Sequence, residues 1–164
     1  MDDQNADKAP ESRPPSTDDL VFLCRKLNEA GARYIVIGGM AILHAGFSRA
    51  TEDIDLLLDD SNENLGRVRK ALMHLPDQAI TDLKEGELQQ YQVVRIADEF
   101  VVDLMLKACG VNFKEAEPQI EFTKLDGVRI PFASPELLWR LKQSMREKDK
   151  LDRIFLSELL RKNS

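Results

Sequence analysis

The run Asp53-Ile54-Asp55-Leu56-Leu57-Leu58 constrains this chain more than any other stretch. Three leucines behind two alternating acids read as a strand that starts at a surface and ends in a core. Side chains alternate along a strand, so Asp53 and Asp55 share one face and Ile54 points to the other, into the core. Two like charges on one face repel each other unless a cation lies between them, and a hard dication with oxygen ligands is the natural partner. A solvated strand end or turn is the ordinary reading of an isolated Asp-x-Asp. Here the leucines follow directly, which argues that the pair opens a buried strand.

Two further features converge on that pair. Tyr34-Ile35-Val36-Ile37 is a short apolar run, read as a buried strand, that stops at Gly38-Gly39. Met40 to Gly46 then reads as a short helix beginning at the glycines. Glycine permits tight turns and close approach of a ligand, and a helix N-terminus presents free N–H groups to phosphate. A purely structural turn explains the glycines about as well. The third feature is Asp103, which interrupts the apolar run from Phe100 to Leu106. A carboxylate in such a setting is costly to bury without a partner. If its strand pairs beside Asp53 and Asp55, a three-acid cluster forms. Such a cluster can hold two Mg²⁺ ions roughly 3.5–4 Å apart, one activating an attacking oxygen and one steadying a triphosphate.

The rest of the chain supplies a frame for these residues. Ser16 or Thr17 caps a helix carrying Leu20, Leu23, Cys24 and Leu27, which Gly31 ends. Ser61 caps a second through Leu65, Val68, Leu72 and Leu75, closed by Pro76. Tyr91 to Ile96 and Phe100 to Leu106 read as a hairpin around Asp98-Glu99. Ile120 to Leu125 and Val128 to Phe132 read as another around Asp126-Gly127, a strong turn signal. Ser134 with Pro135 starts a helix, and Lys148 to Leu160 forms a last one. The expected class is α+β, a small mixed or antiparallel sheet flanked by helices, with helices at the C-terminus.

Length and composition set limits. The 164 residues suit one domain, expected over residues 16–164 behind a disordered polar tail at residues 1–15. No apolar run approaches the ~20 residues that span a bilayer, and no signal peptide is evident, so the cytoplasm is the default. A net charge of −6 excludes nucleic-acid binding by global attraction. A local basic patch could form from Arg140, Lys142, Arg146, Lys148, Lys150, Arg153, Arg161 and Lys162, though a solvated, acid-balanced helix face is the plainer reading. Cys24 and Cys109 are expected as buried free thiols, and His44 and His74 as structural or surface residues.

Ile37-Gly38-Gly39-Met40-Ala41 through Gly46-Phe47-x-Arg49-x-Thr51-x-Asp53-Ile54-Asp55-Leu56 resembles the core signature of the polymerase-beta-like nucleotidyltransferase superfamily. More narrowly it is similar to the bacterial abortive-infection and toxin type, the AbiEii-like enzymes. Pro135 to Lys142, followed by Arg146 to Asp152, is similar to that group's C-terminal helical segment, with its Lys-Asp-x-x-Asp run. The resemblance covers about residues 34–58, 100–106 and 134–156. It implies transfer of a nucleoside monophosphate from an NTP to an acceptor hydroxyl on tRNA, a protein or a small molecule, with Mg²⁺ or Mn²⁺ as cofactor. By resemblance, Asp53 and Asp55 bind metal, and Asp103 is the third ligand and the general base. Gly38 and Gly39 contact the triphosphate, Arg49 and Thr51 brace the nucleotide loop or touch phosphate, and Lys142, Lys148, Asp149 and Asp152 line the site or orient the acceptor. An antitoxin or a homo-oligomer is the implied protein partner, and no membrane is. Many superfamily members carry Gly-Ser where this chain has Gly38-Gly39, so backbone amides must do the work of a missing hydroxyl. A non-catalytic domain that binds nucleotide or a partner protein is the alternative. A sugar-nucleotide glycosyltransferase is less expected, because its nucleotide-binding half normally comes first and 52 residues precede Asp53.

Overall fold

The computed structural model describes residues 12–143 and 147–163, apart from the side chains of Glu147 and Lys148. Residues 1–11 of the expected tail lie outside this set, as do Arg146 and the Lys148 side chain. Ser12 and Arg13 dock on the chain: the Ser12 hydroxyl donates to the Asp98 carbonyl at 2.6 Å, and the Arg13 amide to the Glu99 carbonyl at 2.9 Å.

Helix α1 (Thr17–Glu29) starts at a reciprocal capping box between Ser16 and Asp19 and buries Leu20, Leu23, Cys24 and Leu27. Strand β1 (Tyr34–Ile37) is buried along its whole length. Helix α2 (Gly38–Ala45) follows without a linker and ends at Gly46, whose φ of 118° stops the helix. Then come β2 (Asp53–Leu58), α3 (Asn62–Leu72) capped by Ser61, and the short α4 (Glu87–Gln90). Strands β3 (Val94–Ala97) and β4 (Val101–Met105) form the expected hairpin. The buried Asp98 carboxylate accepts backbone bonds from Asp77, Ala79 and Glu99, so the turn is tied to the preceding loop.

A small hairpin of β5 (Lys107–Ala108) and β6 (Val111–Asn112) precedes the short α5 (Phe113–Ala116). Its two-residue turn is Cys109-Gly110, with φ of 47° and 78°. That turn corrects the expectation for Cys109, which is exposed, whereas Cys24 is buried. The apolar neighbours of Cys109 are strand residues, but the thiol itself sits at a turn tip and donates to the Leu141 carbonyl. Strands β7 (Ile120–Leu125) and β8 (Val128–Ala133) pair around Asp126-Gly127, whose φ values of 50° and 79° suit a tight hairpin turn. Helices α6 (Pro135–Leu141) and α7 (Glu147–Lys162) pack on each other.

The six long strands make one mixed sheet in the order β3-β4-β2-β1-β8-β7, consistent with the expected α+β class. β2 lies antiparallel to β1 and parallel to β4, while β1 lies parallel to β8. Ile54, Leu56, Val102 and Leu104 are wholly buried on one face of the β2–β4 pair. The alternate positions carry the acids to the other face. Among the described residues no helix is long and apolar enough to cross a membrane.

Candidate active site

The parallel register sets Asp55 beside Asp103 and Asp53 beside Val101. Strand alternation then gathers Asp53, Asp55 and Asp103 on one face, where one oxygen from each lies within 4.8 Å of the others. Asp103 is buried, and the other two are half-buried. Burial, followed by the charges of Asp53 and Asp103, pushes the Asp55 carboxyl up to about 8; the nearby Lys142 charge opposes this. Asp53 is also raised, first by burial and then by Asp103. The donor set therefore fits a hard dication: three oxygen ligands, converging, with charges that are unfavourable together without one.

Gly38 makes the arrangement sterically possible. Its φ is 68°, and a Cβ there would stand 1.9 Å from Asp55 Oδ2, so only glycine leaves room for this carboxylate. A Cβ on Gly39 would meet Thr51 Cγ2 at 2.9 Å. The buried Thr51 thus packs against the turn. Ile37, the residue before α2, makes no side-chain cap bond to the start of that helix.

A second charged group stands on the C-terminal helices. Asp149 and Asp152 are wholly buried on α7. Lys142 Nζ, at the end of α6, reaches Asp149 Oδ1 at 3.1 Å and Asp152 Oδ2 at 3.2 Å. Arg49 grips Asp152 with two parallel bonds of 2.9 Å. Arg49 is thereby a brace between α7 and the loop that leads into β2. The C-terminal basic residues divide among several tasks: Lys142 turns inward, Arg153 donates to the Lys142 carbonyl, and Arg140 pairs with Gln119. A groove of about 450 Å³ beside Trp139 and Ile154 is lined by none of the three carboxylates. His44 stacks on Phe132 at 4.0 Å and bonds Thr123, and burial lowers its pKa; His74 is exposed.

Sequence reasoning missed Arg95. Its Nε and Nη2 bond Asp103 Oδ1 and Oδ2 at 3.0 Å each, and Nη2 also reaches Asp53 Oδ2 at 3.1 Å. The signal was available. A hairpin that turns at residues 98–100 pairs residue 95 with residue 103, and cross-strand partners share a face.

The profile of the family described as "Nucleotidyl transferase AbiEii toxin, Type IV TA system" matches residues 21–136. The chain belongs to that family and is a nucleotidyltransferase. No curated protein matches it in sequence. Three solved structures share the fold. An antigenic nucleotidyltransferase-like protein from Paracoccidioides brasiliensis is 18% identical over 90% of this chain and 79% of its own, with a TM-score of 0.54. A Thermotoga maritima protein assigned as a nucleotidyltransferase is 18% identical over 89% and 90%, at 0.57. The lincosamide antibiotic adenylyltransferase LnuA, with lincomycin bound, is 17% identical over 90% and 99%, also at 0.57.

Proposed function

We propose that this chain transfers a nucleoside monophosphate from an NTP to an acceptor hydroxyl, releasing pyrophosphate, with Asp53, Asp55 and Asp103 as the ligands of Mg²⁺ or Mn²⁺. The observation that carries the reading is the convergence of three carboxylates from β2 and β4 within 4.8 Å. Divalent metal bound there supplies charge neutralisation for the carboxylates and for the triphosphate's developing charge. The chain's own groups do the positioning. Gly38 leaves room for the Asp55 carboxylate, and the amides of Gly38 and Gly39 at the start of α2 donate to the triphosphate. Asp103 takes the proton of the acceptor hydroxyl. Arg49 and Thr51 brace the nucleotide loop from behind. Lys142 sets the field around Asp55 while being held by Asp149 and Asp152. Lys148 is assigned to the nucleotide by resemblance alone.

The acceptor is a hydroxyl of tRNA, of a protein or of a small molecule. LnuA acts on a small molecule, and the toxin-antitoxin family supports an antitoxin as the protein partner. The test is incubation with each α-labelled NTP, Mg²⁺, and total RNA or lysate. Label transferred by the wild type and lost in Asp103→Asn supports the reading. Nucleotide binding with no label on any species would favour a non-catalytic binding domain instead.

A further inference from the structure

Arg95 stands on β3, the edge strand of the sheet, directly across from Asp103. One guanidinium holds both oxygens of Asp103 and one of Asp53. The carboxylate partners are mostly covered, at 8% and 17% exposure, while the Arg95 side chain is 61% exposed. The cation therefore lies over the cluster from the open side and is anchored by those bonds.

We propose that Arg95 is the resident cation of the acidic cluster and exchanges with the divalent metal: it ties Asp103 to Asp53 in the metal-free protein and swings off as the metal binds. This rests on the reading of the three carboxylates as the metal site. A dication on the oxygens of Asp103 and Asp53 would stand within a few ångströms of the guanidinium and repel it. A guanidinium cannot relieve that repulsion by losing its proton at any working pH. It can relieve it by moving, and an exposed side chain on an edge strand rotates into solvent without opening a packed interior. Arg95 thus lowers the apparent metal affinity and, in return, holds the carboxylates together before a metal arrives. The freed guanidinium is then available to the anionic groups that arrive with the metal.

The test is Mn²⁺ binding to nucleotide-free protein, followed by electron paramagnetic resonance of the unbound ion and by thermal melts. Wild type, Arg95→Gln, Arg95→Lys and the Asp53→Asn/Asp55→Asn double variant are compared. Arg95→Gln is expected to bind Mn²⁺ roughly three- to tenfold tighter than wild type, because a bidentate, charge-assisted competitor is gone. It is expected to melt lower than wild type without metal and to gain more when Mn²⁺ is added. Arg95→Lys keeps the charge without the two-pronged grip, and its affinity should fall between the two. Equal or weaker Mn²⁺ binding by Arg95→Gln, with binding still lost in the double Asn variant, would overturn the exchange and leave Arg95 as an orienting residue for Asp103. Wild-type Mn²⁺ binding that persists in the double Asn variant would instead overturn the metal-site reading, and the exchange with it.

Discussion

Two of the charge groups among the described residues hold most of the buried acids, and they differ in balance. On the C-terminal helices, Asp149 and Asp152 face Lys142 and Arg49 among the described residues, acids matched by bases. On the sheet, Asp53, Asp55 and Asp103 gather with Arg95 as their one ion-pair partner among the described residues, and Lys142 acts on Asp55 only through its field. The first group is wholly buried at its acids and internally satisfied, so it fastens α7 to α6 and to the loop before β2. The second is half open, and its burial and mutual repulsion raise Asp55 and Asp53 toward their neutral forms. A balanced buried cluster is a structural joint. An unbalanced one keeps excess negative charge that a further cation would relieve.

That contrast predicts opposite outcomes for the same chemical change. The largest effect is expected at the balanced group. Asp152→Asn leaves Arg49 and Lys142 short of a buried counter-charge and should destabilise the protein by about 3–5 kcal/mol, read by urea unfolding. A loss below ~1 kcal/mol would mean that the network is solvated and the comparison is misplaced. Next is Gly38→Ala, where the new methyl would displace Asp55 Oδ2 and the backbone would be held at an unfavourable positive φ. It should cost about 1–3 kcal/mol and abolish the metal response even where the variant folds. An intact metal response in that variant would break the link between the glycine turn and the acids.

The third effect is a pH slope. The folded-state pKa of Asp55, about 8, is above its value in the unfolded chain, so the folded state holds a proton that the unfolded state releases between these two values. The stability contribution is therefore fully present below about pH 4 and is lost as pH rises through about 8. The raised Asp53 adds in the same direction. Metal-free melts should fall across this window in the wild type, and the fall should be shallower in Asp55→Asn. Parallel pH profiles for the two proteins would remove Asp55 as the source.

How far the sequence alone reaches follows the same division. Period-two alternation placed Asp53, Asp55 and Ile54 on their faces, and the Asp126-Gly127 turn and the Ser16, Ser61 and Ser134 caps were legible because each is a local rule. The register of the β3–β4 hairpin was legible too, but it was not carried across the strand to Arg95. Pairing of β2 with β4, and of β1 with β8, is non-local. Before the structure it stood only as a condition on Asp103. The grip of Arg49 on Asp152 spans 103 positions, and no periodicity announces such a contact. Cys109 misled because its neighbours are apolar, while its own backbone occupies a turn.

The central claim is that the unbalanced cluster is a metal site, and thermal melts of wild type and Asp53→Asn/Asp55→Asn, with and without Mn²⁺ or Mg²⁺ and NTP, test it most directly. A dication that binds only the folded site adds about 2.7 kcal/mol at one hundred times its dissociation constant. The wild type should show a metal-dependent rise in Tm. The double variant should show none, and without metal it should be at least as stable as wild type because the repulsion has been removed. The same rise in both proteins would contradict the account.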